Sequence, residues 1–312
     1  MRAAFIFPGQ GSQYAGMGRE FYMRYPEARA VFAEADQALG FSLADLCFKG
    51  PVAELNQTVN TQPAVLAASL ACLAVLTRAG FKPAAVAGHS LGEYTALVAA
   101  GSLSCMDAVR LVRKRGRYMQ EAVPVGQGGM AAVMGLSAAE LEATCRQASA
   151  AGVVEAVNFN CPGQVVIAGE TAALQEALAL AKKAGARRCV MLAVSAPFHS
   201  TLMRPAGEKL AADLASVLIS DPVIPVVANV SADFVRDADE VRKALTRQVY
   251  NPVRWEESVL RLAGAGIETF IEVGPGRVLS GLVKKICRGA EVLNVEDQES
   301  LAEVLALVGE VS

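Results

Sequence analysis

The sequence predicts an α/β fold, a sheet with covering helices interrupted by a second, smaller unit. Three observations carry this. Short apolar runs alternate with helical patterns in the first half of the chain. Between residues 128 and 194 the order changes to strand, helix, strand, strand, helix, strand. Strand-like runs then return, as elements of the first sheet would.

In chain order, residues 3–7 read as a strand, 13–39 and 62–79 as helices, and 84–87 as a strand leading into a helix at 93–100. The middle section reads as strand 130–134, helix 138–148, strands 153–158 and 164–168, helix 172–184 and strand 188–194. That is the βαββαβ order of a ferredoxin-like unit. Beyond it come a helix at 204–217, strands at 223–229 and 269–273, and helices at 238–249 and 256–265. The small unit is therefore expected as an insertion, with residues 1–127 and 195–312 forming one discontinuous domain and 128–194 the other. Gly126-Gln127-Gly128-Gly129 and Ser195-Ala196-Pro197 are the expected hinges, because glycine and proline interrupt regular structure.

The 312 residues, 53% hydrophobic and 19% charged, can bury a large core. A net charge of −2 with interspersed signs excludes the broad basic field that binds nucleic acid or anionic membrane, so neither is an expected partner. Any anionic ligand must be held by a few placed residues. The seven cysteines are scattered, odd in number and without C-x-x-C spacing, which points to reduced thiols and no metal or redox site. The N-terminal apolar run is too short for a signal-peptide core, and the longest apolar stretch, 63–76, falls short of the ~20 residues of a spanning helix. The expected location is the cytoplasm.

Gly88-His89-Ser90-Leu91-Gly92 matches G-x-S-x-G between a predicted strand and a predicted helix. A sharp turn there strains and exposes the central hydroxyl, and the helix N-terminus would stabilise the oxyanion formed when Ser90 attacks a carbonyl. The same pattern in arbitrary sequences is often a glycine-rich turn with an N-cap serine. A serine nucleophile needs a base, and His89 and His199 are the two histidines of the chain. Side chains of consecutive residues diverge on a sharp turn, so His89 reads as a packed neighbour. His199, in Ala196-Pro197-Phe198-His199-Ser200, where the chain re-enters the main domain, is the expected base, although a capping role would also suit it. No Asp or Glu is placed by spacing as a third member, which leaves open what orients His199; a backbone carbonyl can fix the tautomer as well as a carboxylate.

Further motifs run nearly end to end: Phe7-Pro8-Gly9-Gln10-Gly11-Ser12-Gln13, Thr61-Gln62-Pro63-Ala64, Gly88 to Tyr94, Arg115-Gly116-Arg117-Tyr118-Met119-Gln120, Asn158-Phe159-Asn160-Cys161-Pro162-Gly163-Gln164, Phe198-His199-Ser200, Gln248 to Trp255, and Glu272-Val273-Gly274-Pro275-Gly276. In this order they resemble the malonyl-CoA:acyl carrier protein transacylases of fatty acid synthesis and the related acyltransferase domains of polyketide synthases. The resemblance implies an α/β-hydrolase-like domain with a ferredoxin-like insertion. It implies Ser90 as nucleophile, His199 as base, the backbone N–H groups of Gln10 and Leu91 as oxyanion hole, and the main-chain carbonyl of Gln248 as the group orienting His199. With a neutral acceptor there, the site would hold no fixed anion to repel an anionic acyl group.

Arg115 separates a malonyl transferase from a general esterase, because a guanidinium pairs in bidentate fashion with the free carboxylate of malonate. The run Arg113-Lys114-Arg115 on a polar helix face would ordinarily be solvated, and the family motif alone singles out Arg115. By the same resemblance Phe198 excludes an α-methyl group, Arg188 contacts coenzyme A phosphate, and Asn160 stands at the site mouth. For Phe198 plain packing, and for Arg188 a plain surface role, are the competing readings.

The implied reaction is ping-pong, from malonyl-CoA to Ser90 and on to the phosphopantetheine thiol of acyl carrier protein. No permanently bound cofactor is implied. A polyketide or malonate decarboxylase accessory transacylase, a serine esterase or thioesterase, and a silent docking domain are the competing readings. Arg187-Arg188 and Lys284-Lys285 are candidate contacts for an acidic carrier protein, or ordinary solvated charge.

Overall fold

The computed structural model describes residues 2–194 and 196–309, in which ten strands form two sheets. The strands are β1 (Ala3–Phe7), β2 (Ala85–Gly88), β3 (Gly128–Met134), β4 (Val154–Cys161), β5 (Gln164–Glu170), β6 (Arg188–Met191), β7 (Val226–Ala228), β8 (Asp233–Val235), β9 (Thr269–Val273) and β10 (Glu291–Val295). The first sheet has the order β10-β9-β1-β2-β7-β8 and is parallel except for the edge pair β7–β8. The second, β4-β5-β3-β6, is antiparallel throughout.

β1 is buried at every position, as a central parallel strand covered on both faces must be. Its alternate residues feed two cores. Phe5 and Phe7 join the cluster under helices Thr58–Arg78 and Cys105–Glu121, while Ala4 and Ile6 pack with Trp255, Leu262 and Phe270. The same period of two divides β3: Ala131 and Val133 pack with Leu141 and Leu174 of the helices covering the small sheet, whereas Met130 and Ala132 belong to the main core. β4 is tied to the main body through Val253, whose N–H donates to Val157 O at 2.8 Å and whose carbonyl accepts from Phe159 N at 2.9 Å.

The βαββαβ order holds, and helix Ala138–Ala148 begins on a Ser137/Glu140 capping box. Four expectations need correction. Residues 13–39 are two helices, Arg19–Arg24 and Pro26–Leu39, because Pro26 pushes Tyr25 into extended geometry (φ −118°, ψ 124°) and then opens the second helix at its first position. The helix expected at 62–79 runs from Thr58 to Arg78 and carries Pro63 inside it. Gly128 and Gly129 are strand residues paired with Glu170 and Gly169, which takes them out of any hinge; Ser195, in the other expected hinge, lies outside the described residues. Strand 223–229 shortens to β7, and β8 and β10 were not foreseen. At 21 residues and mean hydropathy 1.6, Thr58–Arg78 is long and apolar enough to cross a membrane, yet it is mostly buried as a core helix.

β1 and β2 are adjacent and parallel, with Phe7 opposite Gly88, so the loops leaving both strands emerge side by side. Open α/β sheets place their sites there, beyond the carboxyl ends of the strands.

Candidate active site

Ser90 sits between β2 and helix Gly92–Ala99 with φ +53°, a left-handed conformation that a non-glycine residue keeps only when its surroundings hold it. The surroundings are visible. A Cβ on Gly88 would lie 1.9 Å from the carbonyl carbon of Gly92, and one on Gly92 would lie 2.0 Å from Phe7 O. Only hydrogen fits in either place, so strand, turn and helix close on one another. The buried Asn229, just after β7, clamps the turn: its Oδ1 accepts from Ser90 N at 2.7 Å, and its Nδ2 donates to Gly88 O at 2.7 Å.

Ser90 Oγ lies 2.7 Å from His199 Nε2, and His199 Nδ1 lies 2.7 Å from the main-chain oxygen of Gln248. A carbonyl oxygen only accepts, so Nδ1 carries the proton and Nε2 is left as the acceptor for the Ser90 hydroxyl. His199 also has a positive φ, +65°, and is almost fully buried. Burial, reinforced by the charge of Arg115, pushes its pKa down to about 3, so the ring is neutral at physiological pH. His89 takes no part in this pair: its Nε2 bonds Asn160 Oδ1 at 2.9 Å and its ring packs on Trp255.

Arg115 is not solvated. Only 1% of it is exposed, while Lys114 turns outward to Asp213 at 2.6 Å. In helix Cys105–Glu121 the buried positions are Ala108, Val109, Leu111, Val112, Arg115, Gly116 and Met119, so the helical period carries the guanidinium inward. Nη1 donates to Gln62 Oε1 at 2.9 Å, and Nη2 donates to Gln248 Oε1 at 2.9 Å and Ser90 Oγ at 3.0 Å. Nε is buried without a partner, and among the described residues no carboxylate pairs with the cation. Burial away from water lowers its pKa.

A buried carboxyl group nevertheless stands near the site. Glu93, 2% exposed, accepts from Gln248 Nε2 at 2.9 Å, one amide away from Arg115, and burial raises its pKa to about 7. Glu93 and Gln62 stand inside two of the motifs that carry the resemblance, without a role read for either, and Asn229 stands in none of them.

Ser90, His199, Arg115, Gln10, Leu91 and Phe198 line one cavity of about 90 Å³. Among the described residues, the backbone N–H groups of Gln10 and Leu91 donate to no other group. Asn160 lines instead an adjoining cavity of about 230 Å³, which shares Gln10, His89, Asn158 and Leu192 with the first. Arg188 is exposed at the start of β6, opposite Met134, and lines neither cavity.

Residues 4–307 match the model of the acyl transferase domain. The malonyl CoA-acyl carrier protein transacylase of Bacillus subtilis is 49% identical over 301 residues, covering 96% of this chain and 95% of that protein. The crystal structure of the acyl-carrier-protein S-malonyltransferase of Burkholderia pseudomallei 1710b superposes with a TM-score of 0.96 at 50% identity, covering 98% of this chain and 100% of that one. A malonyl-transacylase solved with its type II PKS acyl-carrier protein gives 0.96 at 46% identity over 98% of this chain and 99% of that one. A strained serine against a buried histidine, a buried arginine beside them with no carboxylate partner among the described residues, and likeness over nearly the full length agree: the chain belongs to the acyl transferase family, among its malonyl CoA-acyl carrier protein transacylases.

Proposed function

We propose that the protein transfers the malonyl group from malonyl-CoA to the phosphopantetheine thiol of acyl carrier protein through a malonyl-Ser90 intermediate, and so supplies fatty acid synthesis. The observation that carries this reading is Arg115, a cation buried without a carboxylate partner among the described residues, 3.0 Å from Ser90 Oγ. A buried charge left unpaired is costly, and a substrate carboxylate would supply the partner.

Ser90 attacks the thioester carbonyl as its proton passes to His199 Nε2, held in register by Nδ1–H on Gln248 O. The N–H groups of Gln10 and Leu91 receive the oxyanion. Coenzyme A leaves with the proton from His199; the carrier thiol then gives its proton to His199 as its sulfur attacks the malonyl carbonyl, and His199 passes that proton to the Ser90 oxygen as the ester bond breaks. The group expelled in the first half and the group that attacks in the second are both thiols, with a reference pKa of about 8.5, so a histidine oriented by a neutral carbonyl suffices. The malonyl carboxylate on Arg115 would offset part of the charge that holds His199 low, making the base stronger when substrate is in place.

The main body, 1–127 with 195–312, is read as α/β-hydrolase-like and the segment 128–194 as a ferredoxin-like insertion closing the site from one side. Phe198 on the cavity wall limits bulk at the α-carbon. No resident cofactor is assigned; phosphopantetheine comes with the substrates, and the cytoplasm is the expected location. The likeness to the transacylase solved with a PKS carrier protein favours, as a second reading, the same transfer in polyketide synthesis.

The test is to mix the protein with malonyl-CoA, trap the adduct and locate it by mass spectrometry, with and without acyl carrier protein. Malonyl on Ser90, discharged by the carrier, is expected; an unmodified Ser90 overturns the mechanism, and rapid release of free malonate without a carrier would make the protein a thioesterase.

A further inference from the structure

Glu93 is a carboxylate buried directly behind the acyl cavity, and the steps above give it no part. It is 2% exposed, and its Oε2 accepts from Asn229 N at 2.9 Å and Gln248 Nε2 at 2.9 Å. Gln248 Nε2 also donates to Ser90 O at 2.8 Å, while its Oε1 accepts from Arg115 Nη2 at 2.9 Å. The side chain of Gln248 is therefore the bridge between a buried carboxyl group and a buried cation.

A carboxylate only accepts and a guanidinium only donates, so an amide between them has a single satisfied orientation, nitrogen toward Glu93 and oxygen toward Arg115. Turned over, it would set NH₂ against the guanidinium and its oxygen against the carboxylate, leaving both buried charges unsatisfied.

We propose that Glu93 is a positioning residue for malonyl transfer: its carboxylate locks the Gln248 amide with Oε1 toward Arg115 and so aims the guanidinium at the acyl group on Ser90. The role rests on the carboxylate-clamp reading of Arg115. Glutamine at position 93 keeps the size of the side chain but offers either an acceptor or a donor to Gln248. Ser90 O and Arg115 still favour the same sense of the amide, but Nε2 loses its charged acceptor, so the contact that directs Arg115 is held less firmly. Burial raises the pKa of Glu93, and the hydrogen bonds from Asn229 and Gln248 oppose that rise by favouring the carboxylate.

The test compares acylation of wild-type protein and Glu93→Gln by malonyl-CoA and by acetyl-CoA, with KM and kcat separated. The expected result is a malonyl KM raised by about tenfold or more, from the weakened charge-assisted contact, with acetyl transfer unchanged. Equal loss for both acyl groups would mean a structural role only. A lower malonyl KM would mean that Glu93 merely weakens the field of Arg115. Either outcome, or no change, overturns the proposal.

Gln248→Met keeps the main-chain carbonyl on His199 and removes the bridge; it should show the same loss of malonyl preference, with no further loss in the double variant. It carries the test alone if Glu93→Gln does not fold. Arg115→Ala separates the two readings: if it keeps malonyl preference, the clamp itself fails, and if it loses the preference while Glu93→Gln and Gln248→Met retain it, only the role of Glu93 fails.

Discussion

Arg115 Nη2 donates to Ser90 Oγ at 3.0 Å, so the buried cation and the nucleophile touch before any substrate is present. Removing the cation by Arg115→Ala should cost malonyl transfer about a hundredfold, the scale of a bidentate charge-assisted pair. Acetyl transfer, which has no carboxylate to offer, should be retained or rise. Parallel assays with the two thioesters check this.

His199 gives a stability signature. Its pKa is about 3 in the folded protein against an ordinary 6.5, so as pH falls between these values the unfolded chain takes up a proton that the folded chain refuses. Stability from this group is complete above 6.5 and declines toward acid. His199→Gln should therefore lose less stability than wild type on acidification through this window, read by denaturant unfolding at a series of pH values. His89, held low by its own burial, acts in both proteins and cancels in the comparison. The same variant should fail to acylate Ser90.

The preference for malonyl over acetyl in the wild-type protein should rise as pH increases through about 7, where Glu93 loses its proton and can only accept from Gln248. The titratable groups facing Glu93 are Arg115 and Tyr94, a cation and a phenol raised by burial, and neither changes charge near neutrality. His199 is neutral there as well. Acetyl acylation should stay flat over the same range, and Glu93→Gln should remove the slope in the ratio.

Gly88→Ala should be severe for a local reason. Its Cβ would lie 1.9 Å from the Gly92 carbonyl carbon, so strand and helix must part. A loss of about 1–3 kcal/mol or more is expected from overpacking alone, along with loss of acylation, because the turn that presents Ser90 is disturbed. Thermal unfolding and adduct formation measure the two effects.

Phe198 is 6% exposed on the cavity wall. Phe198→Ala should raise acceptance of methylmalonyl-CoA relative to malonyl-CoA in a competition assay. An unchanged ratio would make Phe198 a packing residue.

Much of the fold was legible because its signs are local. The strand at Ala3–Phe7 and helix Ala138–Ala148 follow from apolar periodicity and, for the helix, from Ser137 and Glu140 at its start. The break at Tyr25 was also written locally, in Pro26, and the long apolar period through residues 13–39 concealed it. Arg115 had a sign too: it shares the helical register of Leu111, Val112 and Met119, but its charge suggested solvent. Glu93 stood inside the motif Gly88 to Tyr94 with no sign of its contacts, and Asn229 stood in no motif. Asn229 meets Ser90 and Glu93 across 139 and 136 residues, and no pattern around either residue points to the other.

The sequence by itself determined the nucleophile's turn, since apolar strand, paired glycines and helix act over a few bonded residues, and it narrowed the base to two histidines. The tertiary structure placed His199 against Ser90 and the Gln248 carbonyl on its ring, and it alone showed that a buried arginine and a buried carboxyl group share that glutamine's side chain. Ser90 and His199 are 109 residues apart, and Glu93 and Gln248 155. Contacts at such separations are set by how strands and helices pack in space, which periodicity and spacing along the chain do not encode.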